Sequence, residues 1–121
     1  MLTSKDLLID IILNTPADSI WSISNDSWEK IPEVFSEYIN EELDDWEITI
    51  NNNNREKLIE IIYKEEIYEK VVHLQILLNN VPIFISYDCM AGSYLSDSFP
   101  NLRMLINKYK GQESEIFELI R

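Results

Sequence analysis

The sequence predicts an α+β fold: N-terminal helices, a small antiparallel sheet containing a hairpin at 71–87, and a C-terminal helix, with a single layer of helices on the sheet. Three observations predict it. The run VVHLQILLNNVPIFISYD holds two β-rich stretches on either side of Asn79 and Asn80. Apolar residues recur at helical spacing near both ends of the chain. A length of 121 residues with 45% hydrophobic residues, two glycines and four prolines suits one core in a single domain, 1–121, without linkers. Helices first, then a hairpin-containing sheet, then a helix is the order of an α+β chain, not of alternating βαβ units.

Leu7, Leu8, Ile11 and Ile12 come after Ser4 at the spacing of one helix face, so a helix is expected over about residues 4–14, stopped by Pro16. Ala17 to Asn25 reads as a serine-rich loop whose Ile20, Trp21 and Ile23 tuck against the core, or as a short strand. Asp26 and Glu29 have the spacing of a capping box, but Pro32 would fall inside the helix that this box starts. Either a turn at 26–31 leads into a helix from Pro32, or the helix is kinked there. In both cases Ile31, Phe35, Tyr38, Ile39 and Leu43 form a buried face.

Trp46, Ile48 and Ile50 alternate with Glu47 and Thr49, which predicts a strand. The asparagines at 51–54 end it, and Leu58, Ile59, Ile61 and Ile62 suit a helix from Arg55 to about Lys64. Asparagines 79 and 80 tolerate the positive φ of a two-residue hairpin turn. The simplest register pairs Leu78 with Val81, Ile76 with Ile83, Leu74 with Ile85 and Val72 with Tyr87 on an apolar face. The run CMAGSYLSDSFPNL reads as an ordered loop with a turn at Gly92. Leu102, Leu105, Ile106 and Tyr109 then mark a helix that Gly111 stops. The tail SEIFELIR fits a helical turn or an edge strand equally well.

No enzyme motif is present, and no catalytic residue is expected. His73 is the single histidine and the only good neutral-pH base. A triad with Asp88 and Cys89 would lack an oxyanion-hole motif, and paired strand ends would hold those residues away from His73. The expectation is a buried thiol and a half-exposed strand histidine. One cysteine and one histidine cannot build a structural zinc site, and the acids at 41–47 lack the glycine and alternating oxygen ligands of a calcium loop. No phosphate-binding glycine motif occurs. Neither a metal nor a cofactor is expected. A lone cysteine and a charged, short apolar N-terminus fit a cytoplasmic protein.

Charge is the largest departure from average. The net charge is −12, and residues 26–50 hold nine acids against Lys30, a net of −8. The other 13 acids and 9 bases sum to only −4. Glu29, Glu33, Glu37 and Glu41 recur every four residues and would share a helix face. Like charges at that spacing cost roughly 0.2–0.5 kcal/mol per pair, so the pattern suits a face that meets a basic surface. Such a field repels nucleic acid and anionic membrane and steers basic proteins. No direct nucleic-acid or membrane binding is therefore expected.

With EELDDWE as an acid cluster and SYDCMAGSYLSDSFPNL as an aromatic, ordered loop, the chain resembles the immunity proteins of bacterial toxin systems, including those of contact-dependent growth inhibition. The resemblance is one of type, a short, acidic, single-cysteine α+β chain without catalytic residues. It implies a partner that is a basic toxin domain, commonly a nuclease, blocked at or beside its active site. Under it, Glu33, Glu37, Glu41, Glu42, Asp44 and Asp45 would face the partner's lysines and arginines. Trp46, Tyr87, Asp88, Tyr94 and Asp97 would supply packing and hydrogen bonds. The alternatives are a phage-type nucleic-acid mimic that inhibits a nuclease, and a non-catalytic adaptor subunit. Changing Glu37, Glu41 and Asp44 together to lysine is expected to slow association with the partner and flatten its salt dependence while leaving the fold intact. Unchanged binding kinetics would remove these acids from the interface.

Overall fold

The computed structural model describes residues 3–24, 27, 33–35, 38–40, 46–65, 71–110 and 117–120. Its first helix, α1 (Ser4–Asn14), has the expected bounds. Thr3 is the cap: its hydroxyl accepts from the Asp6 amide, and the Asp6 carboxylate accepts from the Thr3 amide at 2.8 Å. This reciprocal pair satisfies two of the orphan donors of the first turn. The expected stripe, Leu7, Leu8, Ile11 and Ile12, is fully buried.

Among the described residues, seven strands make one sheet: β1 (Ile20–Ile23), β2 (Ile39–Asn40), β3 (Trp46–Thr49), β4 (His73–Leu78), β5 (Val81–Tyr87), β6 (Gly92–Ser96) and β7 (Glu118–Ile120), in the order β2-β3-β1-β4-β5-β6-β7. All neighbours are antiparallel except β6 and β7, so the sheet is mixed, not purely antiparallel. The fold class is α+β, as expected, with α1, α2 (Arg55–Glu65) and α3 (Leu102–Tyr109) sharing one core with the sheet's inner face. Strands and helices interleave along the chain more than the expected order allowed.

A single cross-strand row organises that inner face. Ile39, Ile48, Trp21, Ile76, Phe84 and Leu95 stand directly opposite one another on β2, β3, β1, β4, β5 and β6, and all are buried. Trp21 meets Phe35 edge to face at 5.8 Å. The segment 20–23 is thus a central strand, not a tucked loop, because it supplies the row's largest side chain.

The expected helix from Pro32 is replaced, where the structure describes it, by a 3-10 turn at Glu33–Phe35 and by β2. Ile39 pairs with Ile48, and this tertiary pairing overrides the local helical pattern. Phe35 and Ile39 are still buried, as the apolar pattern demanded. Ile31 and Leu43 lie outside the described residues.

The hairpin turn is as expected: Asn79 and Asn80 adopt φ of 52° and 65°. Its register is not. Leu78 and Leu77 pair with Val81 and Pro82, but Ile76 then faces Phe84 and Leu74 faces Ser86, with a bulge between the two halves. Ile83 is the extra residue, beside a proline that cannot donate to the ladder. Because side chains alternate, this slip puts Phe84 into the core row and turns Ile85 and Tyr87 outward. Part of the expected loop after the hairpin is strand β6, and of the two readings of the tail, residues 118–120 take the edge strand. Ile106, expected on the buried stripe of α3, is 39% exposed, whereas Leu105 and Tyr109 are buried.

Polar contacts latch the helices together. No base lies in the last turn of α1; Arg55, at the start of α2, supplies it, its Nη1 donating to the carbonyls of Ile12 at 2.6 Å and Thr15 at 2.7 Å. Asparagines 51 and 54 cap α2 reciprocally, the Asn51 side chain accepting from the Asn54 amide and the Asn54 side chain from the Asn51 amide. On α1, buried Asp10 accepts from the Tyr109 hydroxyl at 2.6 Å and pairs with Lys108 at 2.8 Å, tying α3 down.

Burial, and next the bond to Asp10, pushes the Tyr109 phenol well above its ordinary range. The unfolded chain loses this proton above about pH 10 and the native chain keeps it. The contribution is therefore full below that pH and is lost progressively as pH rises from there toward the higher value of the native phenol. Tyr109→Phe is expected to cost about 1–3 kcal/mol at neutral pH and to flatten the alkaline fall in stability. Urea titrations at neutral and alkaline pH measure both, and an unaltered midpoint would show that the latch contributes nothing.

Candidate interaction surface

Since the three described helices share the core with one face of the sheet, the other face is left without a helical cover among the described residues. The alternation of each strand decides what stands there. One row runs Glu47, Ser22, Gln75, Ile85, Tyr94 and Glu118 across β3, β1, β4, β5, β6 and β7. Asn40 of β2 stands opposite Glu47 and extends the row by one strand. At an inter-strand spacing of about 4.8 Å, the row's two carboxylates, Glu47 and Glu118, are about 24 Å apart. Beside it, His73, Tyr87 and Gly92 face one another on β4, β5 and β6.

The rings of this corner interlock. His73 and Tyr87 meet edge to face at 5.4 Å, and Tyr87 and Tyr94 at 6.1 Å. The Tyr94 ring lies over Gly92, within 3.8 Å of where a Cβ would stand. His73 Nδ1 is buried without a hydrogen-bond partner among the described residues. Next to the rings, Asp88, Cys89 and Met90 all take positive φ, 53°, 56° and 68°, and carry the chain from β5 into β6. The turn is pinned by the Cys89 amide, which donates to the Val72 carbonyl at 3.1 Å.

The described bases are confined to one layer, whereas acids occur on both. Every described lysine and arginine belongs to a helix or, as Lys110, caps one: Lys5 on α1, Arg55, Lys57 and Lys64 on α2, Arg103 and Lys108 on α3. The described strands carry none. Glu60 on α2 pairs with both Lys57 and Lys64, and the bond to Lys64 holds its carboxyl below the usual range.

Of the residues expected at the partner surface, Tyr87 and Tyr94 stand together on the open face, and Asp88 is exposed in the adjoining turn. Asp97 is exposed but lies past the far end of β6, about 16 Å from Gly92 at about 3.3 Å per residue. Trp46 points the other way: it pairs with Ile23 and packs against the core. Glu33 is exposed on the 3-10 turn, and Glu37, Glu41, Glu42, Asp44 and Asp45 lie outside the described residues. The helix expected to carry Glu29, Glu33, Glu37 and Glu41 on one face does not run through Ile39, which is β-paired with Ile48.

Residues that the sequence left unassigned, Glu47, Ser22, Gln75, Ile85 and Glu118, make up most of the row. Alternation in β3 and β4 signalled Glu47 and Gln75; the bulge hid Ile85, and β7 was ambiguous. Cys89 is exposed, not buried as expected, because the left-handed turn lifts it clear of the core. The turn does bring its backbone beside β4. No hydrogen bond joins the His73 ring to Asp88 or Cys89, however, so a base oriented for a thiol is not assembled. Among the described residues there is no group of three or more metal-ligating side chains, and no helix long and apolar enough to cross a membrane.

No family model, no curated protein and no solved structure matches the chain. The surface must therefore be read from its own chemistry. One consequence is local: a left-handed residue with a side chain stores about 1–2 kcal/mol. Cys89→Gly is expected to raise stability by about 0.5–1 kcal/mol, whereas Ala91→Gly, which is not left-handed, should lower it by a similar amount. Equal losses in thermal melts of both variants would contradict the turn geometry.

Proposed function

We propose that the chain is an immunity protein that binds and neutralises a basic partner, a cognate nuclease toxin, without catalysis of its own. The observation that carries this reading is the distribution of charge: a net of −12, with every described base on the helical layer and only carboxylates among the charged strand residues. A nuclease must hold a polyanion, so its active-site cleft is lined with lysine and arginine. An acidic, base-free surface meets such a cleft with complementary potential and is attracted at long range. Neutralisation would take place in the cytoplasm, before the toxin reaches nucleic acid.

A nucleic-acid mimic would need carboxylates spaced like phosphates along a ridge. The described sheet face instead carries two, far apart, around an apolar and aromatic middle. That composition fits a protein partner better than imitation of a phosphate backbone.

The test is capture from the native host's lysate with the tagged chain, identification of what binds, and assay of its nuclease activity. The expected result is a basic protein whose retention weakens steeply with salt and whose activity stops at stoichiometric chain. Capture of no basic protein, or of one whose activity is untouched, would refute the proposal.

A further inference from the structure

We infer that the face of the sheet that no described helix covers, centred on Gln75, Ile85 and Tyr94, is the surface on which the basic partner docks. The inference rests on the reading of the chain as an inhibitor and adds where and how the inhibitor binds. The solvent face of an antiparallel sheet ordinarily alternates polar residues outward. Here the outward positions of four adjacent strands include Ile20, Leu77, Ile85, Tyr87 and Tyr94. Tyr87 is 43% exposed, and Ile85 and Tyr94 are half-buried by their neighbours with none of the described helices above them. An apolar, aromatic patch of this kind marks a contact surface more often than a solvated one.

Its charge pattern names the occupant. Glu47 and Glu118 are the charged residues of the central row, which Asn40 of β2 extends past Glu47, and no described lysine or arginine interrupts it. A partner with basic side chains at the rim and a flat apolar centre would pair both carboxylates while covering Ile85 and Tyr94. The tyrosines add faces on which an arginine can stack. The rings are already locked edge to face and stand on paired strands, so little rotamer freedom remains to be lost on binding. Glu47, which belongs to the acid-rich stretch 26–50 of the sequence, shares the row. The segment and the face thus divide the work: distant carboxylates accelerate encounter, and the packed centre slows departure.

The experiment uses the nuclease identified by capture and measures its association and dissociation with the full chain. Gln75→Lys and Tyr94→Ala change the centre of the face, and Asn107→Lys places the same added charge on the exposed side of α3. Both face variants should raise the dissociation rate about tenfold or more, with thermal melts confirming the fold. Asn107→Lys should stay within about twofold of the parent. If the parent neutralises the nuclease and both face variants dissociate as it does, the docking surface is refuted while the function stands. If the parent binds no basic protein, both fall. A chain that dimerises by itself, with the dimer broken by the same two substitutions, would assign the face to a second copy and overturn the inference.

Discussion

The structure depends on a parity constraint. Once Trp21 is buried at the middle of the sheet, its cross-strand partners Ile48 and Ile76 must be buried too, and beyond them Ile39, Phe84 and Leu95. Strand side chains alternate, so the residues between these are driven to the opposite face. Burying each large side chain is worth about 1.5–3 kcal/mol, and a slip of one residue would forfeit several of these at once. The sheet therefore has little freedom in which face it shows to the helices. The Trp21 indole nitrogen, buried with no hydrogen-bond partner among the described residues, is the polar cost accepted at that centre.

The helical layer is held by fewer and more polar contacts. Arg55 closes the open carbonyls of α1 from the start of α2, and Asp10 draws Tyr109 and Lys108 of α3 to α1. A buried carboxylate is tolerable only because both a hydroxyl and an ammonium satisfy it. These latches also collect basic side chains on the helical side. Arg55 and Lys108 are used inside the fold, and Lys57 and Lys64 are engaged by Glu60.

Polarity between layers is the link from fold to proposed function. Spread evenly, a net charge of −12 would only keep the chain soluble. The described bases are instead confined to the helical layer, so the strand face offers a cationic surface no repelling charge. That face also presents rings fixed by neighbouring strands, which suits a rigid inhibitor with little to reorganise on binding.

How much of this was legible varies from element to element. Helices α1, α2 and α3 and the Asn79-Asn80 turn arise from periodicity and turn chemistry that act within a few residues, so the sequence by itself determined them, together with the fold class and the excess of acid. The long helix after Pro32 was misread because its apolar spacing is real, yet Ile39 gains more from pairing with Ile48 than from continuing a helix. Strands β1 and β6 lie in serine- and glycine-containing runs that read as loops, and β7 is only three residues long. The register of β5 turned on one bulged residue, Ile83, which no local pattern announces, and on that bulge depends whether Ile85 and Tyr87 are core or surface. Tertiary structure alone decided the identity of the open face, because a face is a property of paired strands and each pairing is set by partners distant in sequence.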